Sequence, residues 1–159
     1  MVKRGIIRIL VEFLDRGHHY LDFACLAFLK KLSIITRNKD EIFSTGFLPK
    51  ASRLLVGLVP EAGAETDTGT MLLKTLFNLS FDPLIRTEMI DSGILGQVTD
   101  VAKIPSFRKA ILLLYQLTQD DRGRSLFTFH TSGIPFLMHL ASRTPESVCI
   151  NRQVFVAGG

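Results

Sequence analysis

Residues 77–95 read FNLSFDPLIRTEMIDSGIL. The stretch runs apolar, pauses at Asp82-Pro83, resumes with helical spacing, breaks at Gly93 and turns apolar again. Leu72, Leu76 and Leu79 lead into it at steps of four and three, the rhythm of one helix face. Ser80 sits where that helix should end, because a short hydroxyl side chain bonds nearby backbone. Gly93 should end the short helix that follows, at a positive φ that only glycine adopts cheaply. The phrase therefore predicts a long helix, a polar bend, a short helix, a glycine turn, and another helix set off at roughly a right angle.

The phrase recurs. LKKLSIITRNKDEIFSTGFLPKASRLL (29–55), LFNLSFDPLIRTEMIDSGILGQVTDVA (76–102) and LYQLTQDDRGRSLFTFHTSGIPFLMHL (114–140) align on Leu32-Ser33, Leu79-Ser80 and Leu117-Thr118. Each hydroxyl residue is followed by a glycine, Gly46, Gly93 or Gly133, at spacings of 13, 13 and 15 residues. Gly5 precedes IIRILVEFL in the same way, and the four glycines stand 41, 47 and 40 residues apart. A period of ~40–47 residues marks helical repeats that stack into a solenoid.

The helices expected on this basis cover 6–14 and 20–35, then 39–44, 47–59 and 69–81, then 84–91, 94–103 and 106–119, and finally 122–130 and 134–142. A further helix would begin near Pro145. The small, polar, acidic stretch at 60–69 reads as an inserted surface loop and accounts for the 47-residue step. The whole of 1–159 reads as one array with incomplete repeats at both ends. Ile6, Ile9, Leu10, Phe13 and Leu14 trace an apolar stripe on the first helix. That face and Val148–Val156 would lack a neighbour. At ~25 cal/mol per Å², a few hundred Å² of bare interface forfeits several kcal/mol, so the chain reads as part of a longer array.

Composition fits this class. Apolar residues make up 47% of the 159, mean hydropathy is +0.27 and there is no tryptophan. The net charge of +4 and pI near 9.3 are too mild to specify nucleic acid and suit an acidic protein partner equally. Lys3 and Arg4 precede an apolar run, but Arg8 and Glu12 interrupt it, which excludes a secretory leader. No uncharged run reaches the ~18 residues a membrane span needs. Two distant cysteines, Cys25 and Cys149, fit a reducing compartment and offer no zinc site. His18-His19 sits in a turn, and the spacing of His130 and His139 does not suit a shared metal. Phe81, Phe127, Phe129 and Phe136 recur between helices and read as core.

The aligned phrases resemble armadillo repeats, in which an Ala/Leu-rich helix ends in Asn-Leu-Ser, followed by a charged bend, a short helix, Gly-x-Ile-Pro and a Leu-rich helix. Asn78-Leu79-Ser80 matches outright; Gly133-Ile134-Pro135 and Gly46-Phe47-Leu48-Pro49 match closely. FLKKLSI (28–34), NLSFD (78–82), GIL (93–95) and DDRGRSLFTF through IPFLM (120–138) are similar, in order and spacing, to the kinesin-associated protein family, the non-motor armadillo subunits of heterotrimeric kinesin. The resemblance covers roughly residues 10–142. It departs in the 60–70 loop, at Gly96 and after Pro145. It implies an all-α, right-handed α-solenoid of about three to three and a half armadillo repeats. It also implies a non-catalytic adaptor that joins kinesin motor-subunit tails to cargo proteins in microtubule-based, intraflagellar or vesicle, transport. Such a chain would be cytoplasmic, at microtubules and in the cilium or flagellum, with no cofactor, metal or membrane insertion.

In armadillo folds the third helix of each repeat lines the groove. The residue before the Leu of Leu-Ser points into it, which gives Lys31, Asn78 and Gln116; one turn earlier lie Ala27, Lys74 and Leu112. In importin alpha an Asn at the first position grips a peptide backbone and a Trp at the second sandwiches basic side chains. One such Asn and no Trp excludes nuclear-localisation peptides bound in that manner. Lys30, Lys31, Lys74 and Lys109 make the third helices basic, which favours an acidic segment; solvating those helices is the alternative role. Asn78 either holds a partner or caps its own helix.

One rival comes from another class. Asp67-Thr68-Gly69-Thr70 resembles the catalytic turn of aspartic proteases, where two carboxylates share a proton. Such a turn needs a hydrophobic strand before it, AGAE precedes it here, and a dimer would have to supply the second Asp. A further alternative is an armadillo-like scaffold of another lineage that contacts nucleic acid.

Overall fold

A computed structural model describes residues 5–14, 16–59, 67–107 and 109–143. Among them are ten α-helices and no strand. The helices are α1 (Ile6–Phe13), α2 (His19–Leu32), α3 (Thr36–Ser44), α4 (Phe47–Leu58), α5 (Asp67–Leu79), α6 (Pro83–Asp91), α7 (Ile94–Ala102), α8 (Ala110–Leu117), α9 (Asp121–Phe129) and α10 (Gly133–Arg143). A single 3-10 turn, Pro105–Phe107, leads into α8.

The order of packing is that of an α-solenoid. Helices meet others three places further on: α2 lies against α5, α5 against α8, and α4 against α7. Stability in such a stack comes from neighbouring layers rather than from one central core. The helices α2, α5 and α8 carry the inner rows. Leu26 and Leu29 on α2, Leu72, Leu76 and Leu79 on α5, and Ala110, Leu113 and Leu117 on α8 are all fully buried.

Local chemistry explains the helix ends. The hydroxyls of Ser33, Ser80 and Thr118 each donate to the carbonyl three residues back, on Lys30, Phe77 and Tyr115, at 2.8, 2.7 and 3.0 Å. A side chain on the following short helix then closes the bend by donating to a carbonyl six residues behind it. Asn38 reaches Leu32 O, Arg86 reaches Ser80 O and Arg124 reaches Thr118 O, each at 3.1 Å. The hydroxyl bond repeats in register in all three phrases, and the second bond repeats in register in the later two with Asn38 one position earlier, so the repeat is visible as hydrogen bonding.

Asp82 caps α6. The backbone N–H groups of Leu84 and Ile85 donate to its Oδ1 at 3.0 and 3.2 Å, and Pro83 occupies the first helical position, where a missing N–H is harmless. Asp82→Ala is expected to destabilise the chain by about 0.5–2 kcal/mol, while Asp82→Asn keeps most of the cap. Urea melts of the two variants check this, and equal losses would remove the cap from the account.

Gly93 has φ +80° and precedes α7, and Gly46 at +77° precedes α4 in the same way. Gly133 differs: it has no positive φ and is already the first residue of α10. A β-carbon there would lie 2.0 Å from the carbonyl oxygen of Phe127. The two extra residues after Thr118 thus replace the left-handed turn with a close backbone approach, and both solutions exclude a side chain.

Other expectations are revised. The helix expected over 106–119 divides into the Pro105–Phe107 turn and α8. On α1 the buried residues are Ile7 and Val11, joined by Leu14 just past its end, whereas Ile6, Ile9 and Phe13 are exposed; the packed stripe is rotated from the one read in sequence. Phe127 and Phe136 are buried, but Phe81 is 54% and Phe129 85% exposed. Within the loop read over 60–69, residues 67–69 are helical, and 60–66 lie outside the described residues. So do Cys149, the helix expected near Pro145 and the 148–156 segment.

Candidate protein-binding face

The helices α2, α5 and α8 lie side by side, so residues in equivalent register form rows across the stack. Thr70, Lys74 and Phe77 share one face of α5, and Lys109 and Leu112 share one face at the start of α8. Between them the structure opens a cleft of about 120 Å³, lined by Thr70, Leu73, Lys74 and Phe77 on one side and by Ser106, Phe107, Lys109 and Leu112 on the other. Its floor is hydrocarbon and aromatic, its cations are Lys74 and Lys109, and no carboxylate lines it. Neither lysine makes an ion pair among the described residues, in contrast to Arg86, Lys103, Arg122 and Arg124.

The candidate residues divide into groups. Lys74 and Lys109 meet in this cleft. Lys30, half-buried, and Lys31, exposed, stand one layer away on α2, and Gln116 is half-buried two turns along α8 from Lys109. Asn78 does not cap its own helix. Its Nδ2 donates to Lys30 O at 3.1 Å and to Ser33 Oγ at 3.0 Å, which ties α5 to the end of α2. Sequence reasoning missed Phe77, Ser106 and Phe107 as cleft residues. The repeat register carried the signal for Phe77, since it is equivalent to Lys30 and Tyr115.

Phe81 is an edge of the same face. It packs edge-on against Phe77 with ring centres 5.0 Å apart, and Lys39 lies 5.7 Å over its ring. An aromatic held in this way is exposed without being loose, because ring–ring and cation–ring contacts each contribute about 0.5–1.5 kcal/mol.

Residues 1–152 match the family described as Kinesin-associated protein (KAP). The chain belongs to that family. No curated protein and no solved structure matches it. As a KAP-family chain it is grouped with proteins that associate with kinesin, and its all-helical stack fits that assignment.

The fold overturns the protease reading of this KAP-family chain. Asp67, Thr68 and Gly69 form the first turn of α5 instead of a turn after a strand, and Gly69 is buried against Phe107 and Leu58. Among the described residues no group of three His, Cys, Asp or Glu is placed to hold a metal ion, and no helix is long and apolar enough to cross a membrane. Cys25 is buried as a free thiol. Burial pushes its pKa up, the nearby Asp22 carboxylate adds to the rise and Lys50 opposes it. A thiol so protonated is packing rather than a nucleophile.

Proposed function

We propose that this chain is part of a non-catalytic adaptor that holds kinesin motor-subunit tails, and through them cargo proteins, against the face built by α2, α5 and α8. The family match over residues 1–152 carries this reading. The lysines of that face, Lys31 and Lys109 exposed and Lys74 half-buried, make no ion pair among the described residues and support it, because a positive surface steers an acidic segment into register. We further read 1–159 as one array of three to three and a half armadillo repeats. The adaptor would work in the cytoplasm, on microtubules and in cilia, in intraflagellar or vesicle transport.

The test is capture of motor-tail segments by the chain and by its Lys31→Glu, Lys74→Glu, Lys109→Glu triple variant. Capture is expected to fall at least about tenfold in the variant, roughly 1.4 kcal/mol, and to weaken with added salt. Failure of the unaltered chain to capture any tail segment would end the adaptor reading. Unchanged capture by the triple variant would end the electrostatic part alone. A net charge of +4 is too mild to specify a nucleic-acid-contacting scaffold; steep salt dependence of duplex binding would favour that second reading.

A further inference from the structure

We propose that the cleft between α5 and the start of α8 is a pocket for one aliphatic side chain, leucine or isoleucine, presented by a peptide whose neighbouring residues are glutamate or aspartate. The inference deepens the adaptor reading and rests on it for the identity of the peptide's owner. It does not rest on it for the chemistry of the pocket.

Three observations on the lining fix the occupant. The first is size. A cavity of about 150 Å³ holds a benzene ring, so about 120 Å³ suits an isobutyl or sec-butyl group and is small for an indole. The second is polarity. Leu73, Phe77, Phe107 and Leu112 supply an apolar wall, and Leu112 is 53% exposed although it is an aliphatic residue on a helix whose Ala110, Leu113 and Leu117 are fully buried. Covering such surface is favourable by about 25 cal/mol per Å². The third is charge. Lys74 and Lys109 flank the cleft without a carboxylate partner among the described residues, and α5 beyond Asp67 and α8 carry no acidic residue at all. A cationic side chain is thereby disfavoured and a pair of carboxylates is matched, one for each ammonium. Thr70 and Ser106 add hydroxyls at the rim, which suit the backbone carbonyls of an extended peptide.

The experiment is fluorescence polarisation with the full chain and a short labelled peptide carrying one leucine flanked on both sides by glutamates. Binding is expected to weaken about tenfold in Lys74→Glu and in Lys109→Glu, and about tenfold when glycine replaces the leucine of the peptide. A peptide with lysines in place of the glutamates should not bind. Circular dichroism melts confirm that the variants fold, and Lys74→Gln, which keeps the stem without the charge, should show an intermediate loss. Equal affinity of the two single variants and the parent would overturn the proposal, as would equal binding of the lysine-flanked peptide. Binding confined to a peptide with phosphoserines in place of the glutamates would replace carboxylate recognition with phosphate recognition and overturn it too. If the glutamate peptide binds as expected while no motor-tail segment is captured, the pocket stands and the adaptor reading falls. If Lys74→Glu and Lys109→Glu leave both tail capture and peptide affinity unaltered, the adaptor reading stands and the pocket falls.

Discussion

Leu76→Ala is expected to lower the stability of the chain by about 2–5 kcal/mol, the range for removing a fully buried leucine. Leu76 is 0% exposed, and α5 packs against α2 on one side and α8 on the other. A hole at this point lies in the helix that couples both neighbours, so a shift of α5 that closes it disturbs its packing on α2 or α8. In a linear stack the coupling between adjacent layers is what holds them, and this substitution weakens two couplings together. For a chain of this size the loss corresponds to roughly 2–4 °C in Tm per kcal/mol. Urea and thermal denaturation measure it. A loss below about 1 kcal/mol would mean that α5 is not the middle of the stack. The lysines of the face should be unaffected, so tail capture by the folded fraction should match that of the parent.

Asn78→Asp is expected to be more damaging than Asn78→Ala. The Asn78 amide gives both N–H groups to acceptors, Lys30 O and Ser33 Oγ, and Ser33 Oγ itself donates to Lys30 O. Alanine removes the donors and leaves a half-buried site short of hydrogen bonds, a loss of about 1–3 kcal/mol. Aspartate puts anionic lone pairs against the Lys30 carbonyl, so repulsion and desolvation add to that loss. The introduced carboxyl would titrate above the usual carboxylate range in the folded chain. Stability should therefore return in part as pH falls through that raised pKa, when the protonated acid can donate once more. Denaturation of both variants at neutral and mildly acidic pH is the measurement. If alanine were harmless and aspartate no worse, the Asn78 amide would not be a fastener between α5 and α2.

Much of the fold was legible because each boundary is fixed by local chemistry. The hydroxyls at Ser33, Ser80 and Thr118 and the glycines at Gly46 and Gly93 act within a few residues of themselves, and their structural roles follow from residue type and spacing. The side-chain rows were less legible. Asn78 occupies the groove register, but whether its amide meets a partner or the next layer depends on the distance between α2 and α5, and no local rule sets that distance. Phe81 and Phe127 are alike in sequence, yet one lies out on the surface under Lys39 and the other is covered. The Asp67-Thr68-Gly69 motif misled for a related reason: a short string of catalytic residue types has no meaning until the backbone around it is a strand, and here it is a helix. The cleft was half-visible, through Lys74, Lys109 and Leu112, while Phe107 enters it only because the 3-10 turn carries that ring back over α5.

Two of the contacts between layers are unlike fasteners. Between α2 and α5 the clasp is a neutral amide on a backbone carbonyl and a hydroxyl, indifferent to dissolved ions. Between α6 and the start of α9 it is the Arg86 guanidinium on the Asp120 carboxylate, 2.7 Å apart and partly open to solvent, and ions screen such a pair. Gln116, in the register of Asn78, forms no counterpart to the amide clasp among the described residues. Under rising ionic strength the two joints therefore soften unequally, and the flexure falls on the later one, next to the helices that wall the cleft.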